Sequence, residues 1–528
     1  MRVLVLQRAV LVPVFRALDS GVVVAQTRGA SFAASCAAAK GKYEVDTIDA
    51  DGHVDTTVFE LEGVPGAAGE AAAAEIRGLW RHGGWAAAEH SSHQGLGGVP
   101  AARFPGHPRF GVMTRGARRV EAYACNFVVA TDNDLSIINT DNFPNNGDHI
   151  KKLVLELDWV KGNDSAAFRA YLDAKVHFHN TMVDRITNHR AGDSLVPLTE
   201  PLPAKAISIE DLSGVLDAGS LRKLPGVHVR TNKAEIAKDY LLKFSLGNAV
   251  NSAMVYLLAL SRQRTANQFQ KFPIISEYLD ALFEKDILPA LVAGDVAEEE
   301  ARKFYVEWLV RMKHPHFGLD NFWVSQNALL RIYVRLLNSV NTNIAHNENY
   351  RPSKFMAFAT AVALRFLTPW QADSKRDAPT IFVGQMDPIQ NGAPIFSLTE
   401  KTWNYDTGVT ANLSTGKYEF DDGENGRVAR LLWRAGQQVL EASKSSSHDF
   451  PKSVRAESSS EVSSGVGVAV ASVLSTVKGF DLTNDAYASF AADVAALYQR
   501  LVSGKQTALE TLEDVLRNHE TSDSCCGA

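Results

Sequence analysis

Around residue 232 the hydrophobic periodicity of the chain changes, and that change bounds what it can fold into. Before it, apolar residues come in short β-branched runs at 3–6, 21–26, 43–48, 54–61, 127–130 and 135–139. Runs of this length, bounded by turn residues, read as strands. The turn Asp49-Ala50-Asp51-Gly52 joins the third run to the fourth as a hairpin. An alanine-rich helix is expected around 70–80, a Gly/Pro/His-rich loop over 91–109, and a helix after Asn146-Gly147 with Asp148 as its cap. Beyond residue 232 the spacing is helical over 233–260, 274–291, 298–312 and 327–340. It is helical again after Thr483, where Tyr487, Phe490, Ala491, Val494, Leu497, Tyr498 and Leu501 form one stripe. The expected fold class is therefore an α/β domain over 1–198 followed by a mainly α-helical domain over 199–520. That second domain is interrupted by an inserted loop at 376–425 and a serine-rich mobile segment at 443–465.

Composition narrows the function classes. The chain has 528 residues, enough for several domains and a large core. With 54 basic against 60 acidic residues it has no surplus to neutralise a phosphate backbone, so nucleic acid is not an expected partner. No uncharged apolar run reaches the ~18 residues a membrane helix needs, so no membrane partner is expected either. Four cysteines, without the paired spacing of a zinc site, fit a reducing, cytoplasmic location. The apolar, arginine-dotted start reads as either a buried first strand or a weak presequence.

Three segments concentrate polar residues where chemistry is expected. The first is the end of the strand at 135–139, running into Thr140-Asp141-Asn142 and the helix start; ligands collect at the carboxyl ends of strands in open α/β sheets. The second is Asn180-Thr181-Met182-Val183-Asp184-Arg185-Ile186-Thr187. The third is Lys243, Asn248, Asn251 and Ser252 inside an otherwise apolar helical stretch. His177 and His179, alternating on one strand, offer a weaker metal alternative with no carboxylate set in view.

These segments, TDNFPNNGDHIKKLVLE, NTMVDRIT, the Lys243/Asn248/Asn251 spacing and LVRMKHPHFGLDNFWVSQNALLRIYVRLL, resemble the polyol-specific long-chain dehydrogenases and reductases. That family includes mannitol dehydrogenase, and the likeness is strongest to its tagaturonate and fructuronate reductase branch. The resemblance runs over roughly 21–370. It implies a Rossmann-like amino-terminal domain, NAD (or NADP) as cofactor with no metal, and a small sugar or sugar-acid substrate handled by a monomer or homodimer. It implies NAD(H)-dependent interconversion of a keto-sugar or ketohexuronate and its alcohol. By the same resemblance Lys243 is the general acid/base, Asn142, Asn248 and Asn251 complete the catalytic set, Asp184, Arg185 and Arg331 bind substrate, and Arg16 and Asp141 bind cofactor. Burial of Lys243 among Leu241, Leu242, Phe244 and Leu246 suits a lysine that must exchange protons near neutrality.

The chain departs from that pattern at several positions. Where the family has a Gly-x-Gly phosphate loop, this chain has Val10 and Val12, whose side chains oppose the close backbone approach a pyrophosphate needs. Asn251 stands at a histidine position. Trp323, Gln326 and Arg331 align with Arg, His and Lys, so only the last keeps its charge. The glycine groups at 63–69 and 95–98 are weak substitutes for the missing loop. An alternative expectation follows: a catalytically silent relative that serves as a binding or scaffold protein.

Overall fold

The structure, a computed structural model, describes residues 9–10, 12–14, 17, 22–25, 31–61, 85–88, 135–140, 142–156, 158–161, 166–261, 263–316, 318–325, 328–368, 389–390, 393–394, 409–412, 417–445 and 465–525. It divides into two compact units, Met1–Tyr240 and Leu241–Ala528. The amino-terminal unit is α/β and the carboxy-terminal unit is mainly helical. The division falls later than the expected 198/199. The reason is sheet pairing: strands beyond residue 199 extend a sheet begun before it.

In the amino-terminal unit the expected hairpin is formed by β2 (Lys42–Ile48) and β3 (Val54–Glu60), after β1 (Val22–Ala25) and α1 (Ser31–Ala38). The two strands pair antiparallel with Tyr43 opposite Phe59, and those rings stack at 5.7 Å. The turn closes because Asp49 Oδ1 accepts the backbone N–H groups of Asp51 and His53 at 3.0 and 2.9 Å. Further strands are β4 (Trp85–Ala88), β5 (Leu135–Ile138), β6 (Val176–His179), β7 (Thr181–Val183), β8 (Thr187–Arg190) and β9 (Asp193–Thr199). Sheets run β3-β2-β9-β8, β1-β4 and β5-β6, the last two parallel. A further three-stranded sheet, β11 (Val227–Arg230)-β10 (Ile207–Glu210)-β7, carries the unit past residue 199.

Helix α2 (Asn146–Leu155) starts as expected but is not capped by Asp148. Its N-cap is Asn145, in the left-handed region at φ 56°, with no side-chain cap bond. Asn180 does the work from β6–β7: its Oδ1 accepts the Asp148 N–H at 3.0 Å, and its Nδ2 donates to Asp148 Oδ2 and Glu210 Oε2 at 3.1 and 2.8 Å. Asn146, fully buried, donates to the carbonyls of Asn139 and Thr181 and accepts the Thr181 N–H at 2.9 Å. A Cβ on Gly147 would lie 2.5 Å from the His179 carbonyl, so only glycine lets the helix abut that strand end. The NNGD and NTM phrases are thus two halves of one interlock.

The carboxy-terminal unit realises the helical periodicity with a twist the pattern does not show. The stretch over 233–260 is α3 (Lys233–Tyr240), which ends the amino-terminal unit, then a π-helical segment (Leu241–Gly247) and α4 (Asn248–Leu260), which open the carboxy-terminal one. A second π-helical segment (Phe283–Ile287) follows α5 (Pro273–Leu282), and a third (Ile332–Leu336) leads into α6 (Leu337–His346). The first packs on each of the other two. Helix α7 (Lys354–Leu367) is buried along its whole length against α4 and α8 (Asp485–Val502), whose apolar stripe faces inward as expected. Over 376–425 the described residues form short antiparallel pairs, and the serine-rich stretch over 446–464 lies outside the described residues. No helix among the described residues is long and apolar enough to cross a membrane.

Two outcomes follow for stability. Gly147→Ala is expected to cost about 1–3 kcal/mol and lower Tm, whereas Gly467→Ala, with open space around its Cβ position, leaves Tm unchanged or raised; thermal melts of both decide. Asp239, at the end of α3, is buried, which raises its pKa, but Arg230 (2.7 and 2.9 Å) and Lys205 (3.2 Å) overcome this and hold it below the usual carboxylate range. Its stabilising contribution is present above the unfolded pKa near ~4 and lost as pH falls through the folded value. Asp239→Asn should therefore lose about 3–5 kcal/mol at pH 7, and denaturant melts should show the gap closing below pH ~4.

Candidate functional site

Lys243 lies in the first π-helical segment, half-buried between buried Leu242 and Phe244. A π-helix closes its hydrogen bonds between residues five apart. It therefore stacks Lys243 over Asn248 on one face, which an α-helix of the same spacing would not. From Asn248 the chain is α-helical, so Asn251 and Ser252, three and four residues on, continue that face. Asn248 is 7% exposed and Asn251 is 9% exposed. Asn248 Nδ2 and Asn251 Oδ1 are sealed from solvent without a hydrogen-bond partner. Each such atom costs about 1–3 kcal/mol, and each is able to pair with a polar group of a ligand.

The third π-helical segment packs against the first. Arg335 Nη1 donates to Ser252 Oγ at 3.1 Å, and Ser252 Oγ donates to the Asn248 carbonyl at 2.8 Å. Asn338 Nδ2 donates to Ser245 Oγ at 3.1 Å, so the two helices run antiparallel past each other. Arg331, half-buried, precedes this segment by one residue. Burial pushes the Arg335 pKa down to about 9, and the neighbouring Arg331 charge pushes the same way. It still holds its proton at neutral pH. The sequence reading missed Arg335; its only signal is its place one turn after Arg331 in an apolar helix.

The remaining expected residues belong to the amino-terminal unit. Asn142 is exposed, just before α2, while Asp141 and Arg16 lie outside the described residues. Asp184 is buried at 6% exposure, and its N–H donates to the Ala206 carbonyl. Arg185 donates from Nη1 to the Ala9 carbonyl at 2.6 Å and from Nε and Nη2 to the Glu200 carbonyl at 3.2 and 2.9 Å. Burial lowers its pKa to about 10. Its guanidinium thus ties the amino-terminal segment to the end of β9, which is the geometry of an anchor. His179 has both ring nitrogens engaged, Nδ1 with the Glu210 carbonyl at 2.8 Å and Nε2 with Ser136 Oγ at 3.0 Å, and burial lowers its pKa. Among the described residues no three His, Cys, Asp or Glu side chains converge as metal ligands. Gln326, the side chain of Trp323 and both glycine groups at 63–69 and 95–98 lie outside what is described.

Residues 122–211 match the mannitol dehydrogenase Rossmann domain. The chain is similar to Pseudomonas fluorescens mannitol 2-dehydrogenase, solved as a ternary complex with NAD and D-mannitol. That match has a TM-score of 0.57 at 14% identity and covers 96% of each chain. The chain carries the mannitol dehydrogenase fold. It is also similar to D-sorbitol dehydrogenase, solved in substrate-free form, with a TM-score of 0.53, 15% identity, and coverage of 73% of this chain and 82% of that one. No curated protein sequence matches it.

In this version of the mannitol dehydrogenase fold, the segment at the glycine-loop positions is helical over 9–10 and 12–14. Val10 is 2% exposed and Val12 fully buried, within a core shared with Phe32, Tyr43, Ile207 and Val229. These residues fill the interior, and they do not fit as a phosphate cradle.

The two asparagine families should separate experimentally. Asn248→Leu and Asn251→Leu remove sealed, unsatisfied amides and are expected to leave Tm unchanged or raise it by a few degrees. Asn146→Ala, which breaks a satisfied buried network, should lower stability by about 1–3 kcal/mol. Thermal melts in which the helix variants fall as far as Asn146→Ala would contradict the assignment.

Proposed function

We propose that this protein is an NAD(H)-dependent oxidoreductase that interconverts a keto-sugar or ketohexuronate and the corresponding alcohol. The observation that carries the reading is the stripe Lys243–Asn248–Asn251, made by the π-helical segment and furnished with amide atoms that lack partners. When bound, the nicotinamide supplies and accepts hydride; the chain's own residues handle the oxygen. Lys243 donates or takes the proton at that oxygen, and Asn248 Nδ2 donates a hydrogen bond to it as negative charge develops. Arg331 faces the substrate from the neighbouring helix. The resemblance adds Asn142 and Asp184 as substrate-side groups, whose part is tested by substitution in the same assay. The hexuronate-reductase branch is favoured because an arginine stands where a polyol enzyme of this pattern has lysine, and a guanidinium grips a carboxylate with two parallel bonds.

The NAD part of the proposal draws on the solved relative with that cofactor. Val10 and Val12 oppose it, since buried valines replace the loop that would approach the pyrophosphate. That observation favours a second reading, a silent relative that binds a sugar without turning it over. One experiment separates the two: titration of purified protein with NADH and NADPH, followed by absorbance assays with a panel of ketoses and ketohexuronates. Affinity below millimolar with turnover of one sugar supports the enzyme; no nucleotide affinity rejects it. In the active protein, Lys243→Ala should reduce kcat by about 10²–10⁴-fold with little change in Tm, and full activity in that variant would refute the role of Lys243.

A further inference from the structure

Arg335 is a buried cation of the carboxy-terminal unit with little neutralising charge around it among the described residues. It is 9% exposed, and its side chain makes one hydrogen bond, from Nη1 to Ser252 Oγ. A guanidinium carries five donors in a planar fork. Among the described residues the charged and titratable neighbours acting on it are Arg331, which repels it, and the Tyr256 phenol, with no carboxylate. The buried carboxylate of this unit, Asp286, is committed elsewhere: it accepts from the Tyr350 hydroxyl at 2.5 Å, the Ser353 N–H at 2.9 Å and the Ser353 hydroxyl. The Ser252 hydroxyl that holds Arg335 also touches Asn248, so the guanidinium borders the helix that carries the unpartnered amides.

We propose that Arg335 binds the carboxylate of an acidic sugar, making it the residue that selects sugar acids over neutral sugars at the Asn248–Ser252 face. The inference deepens the proposed function, on which it rests, by adding to Arg331 a second guanidinium that reads the acid group. The fork offers two parallel donors matched to the two coplanar oxygens of a carboxylate, and the substrate of the proposed function carries that group; a phosphate presents the same edge and is separated from it by the test below. The neighbouring Arg331 adds positive potential beside it.

The test is calorimetric titration of the full-length wild type, Arg335→Met and Arg335→Lys with D-mannonate, D-mannitol and inorganic phosphate, with and without saturating NADH. D-Mannonate is expected to bind the wild type and to bind Arg335→Met about 30-fold more weakly, the loss of one charge-assisted pair. Arg335→Lys should recover part of the loss, and the mannonate-to-mannitol affinity ratio should fall with it. Equal losses for acid and neutral sugar, an unchanged ratio, or no mannonate binding to the wild type overturn the proposal. Phosphate binding as tightly as mannonate overturns the commitment to a carboxylate. Should Arg335→Met not fold, Arg335→Lys carries the test, with about a tenfold loss for mannonate expected and wild-type affinity refuting it. Mannonate binding lost in Arg335→Met but no NADH affinity would defeat the redox reading alone. NADH turnover of a neutral ketose with an unchanged acid-to-neutral ratio would defeat this inference alone.

Discussion

The π-helical segment Leu241–Gly247 is the constraint on which the candidate site depends. In an α-helix, residues five apart point away from each other. Widening the helix by one residue per turn brings Lys243 onto the face of Asn248, and the return to α geometry keeps Asn251 and Ser252 there. The widening has a packing partner: Gly247 has no side chain, and Phe304 and Trp308 fill the space where its Cβ would point, at 3.2 and 3.4 Å. The third π-helical segment, which packs on the first, places Arg335 within reach of Ser252. Irregular helix is thermodynamically poorer than α-helix, so its recurrence in segments that touch marks a place where geometry matters more than helix stability.

The amino-terminal unit shows the opposite economy. Its signature phrases read in the sequence as chemistry but are engaged in structure: Asn146, Asn180, Thr181 and Gly147 lock a helix start to a strand end. Arg185 grips backbone carbonyls from two other segments. Residues of this kind mark a fold reliably because they cannot change without breaking it, and for the same reason they say little about substrate.

Elements defined by local pattern were legible in the sequence. The hairpin over 42–60 follows from alternation plus the Asp49 turn, and the helix Glu298–Met312 and the stripe of Asp485–Val502 follow from 3.6-residue spacing. What was not legible depends on distant partners or on a departure from the period. A one-residue widening at 241–247 hardly alters an apolar pattern, since both helix types bury Leu242 and Leu246. Asn180 as the organiser of the α2 start acts across 32 residues, so the nearby Asp148 looked like the cap. The unit boundary moved because β10 pairs with β7, a long-range choice that composition does not encode. In the candidate site, Lys243 and Asn248 were found by resemblance, and Arg335 was not, since only burial beside Ser252 distinguishes it from a surface arginine.

A crystal structure with a bound sugar acid tests this account most directly. The account predicts ligand oxygens within hydrogen-bond distance of Lys243 Nζ and Asn248 Nδ2. A ligand seated elsewhere, with both amides still touching nothing but protein, would contradict it.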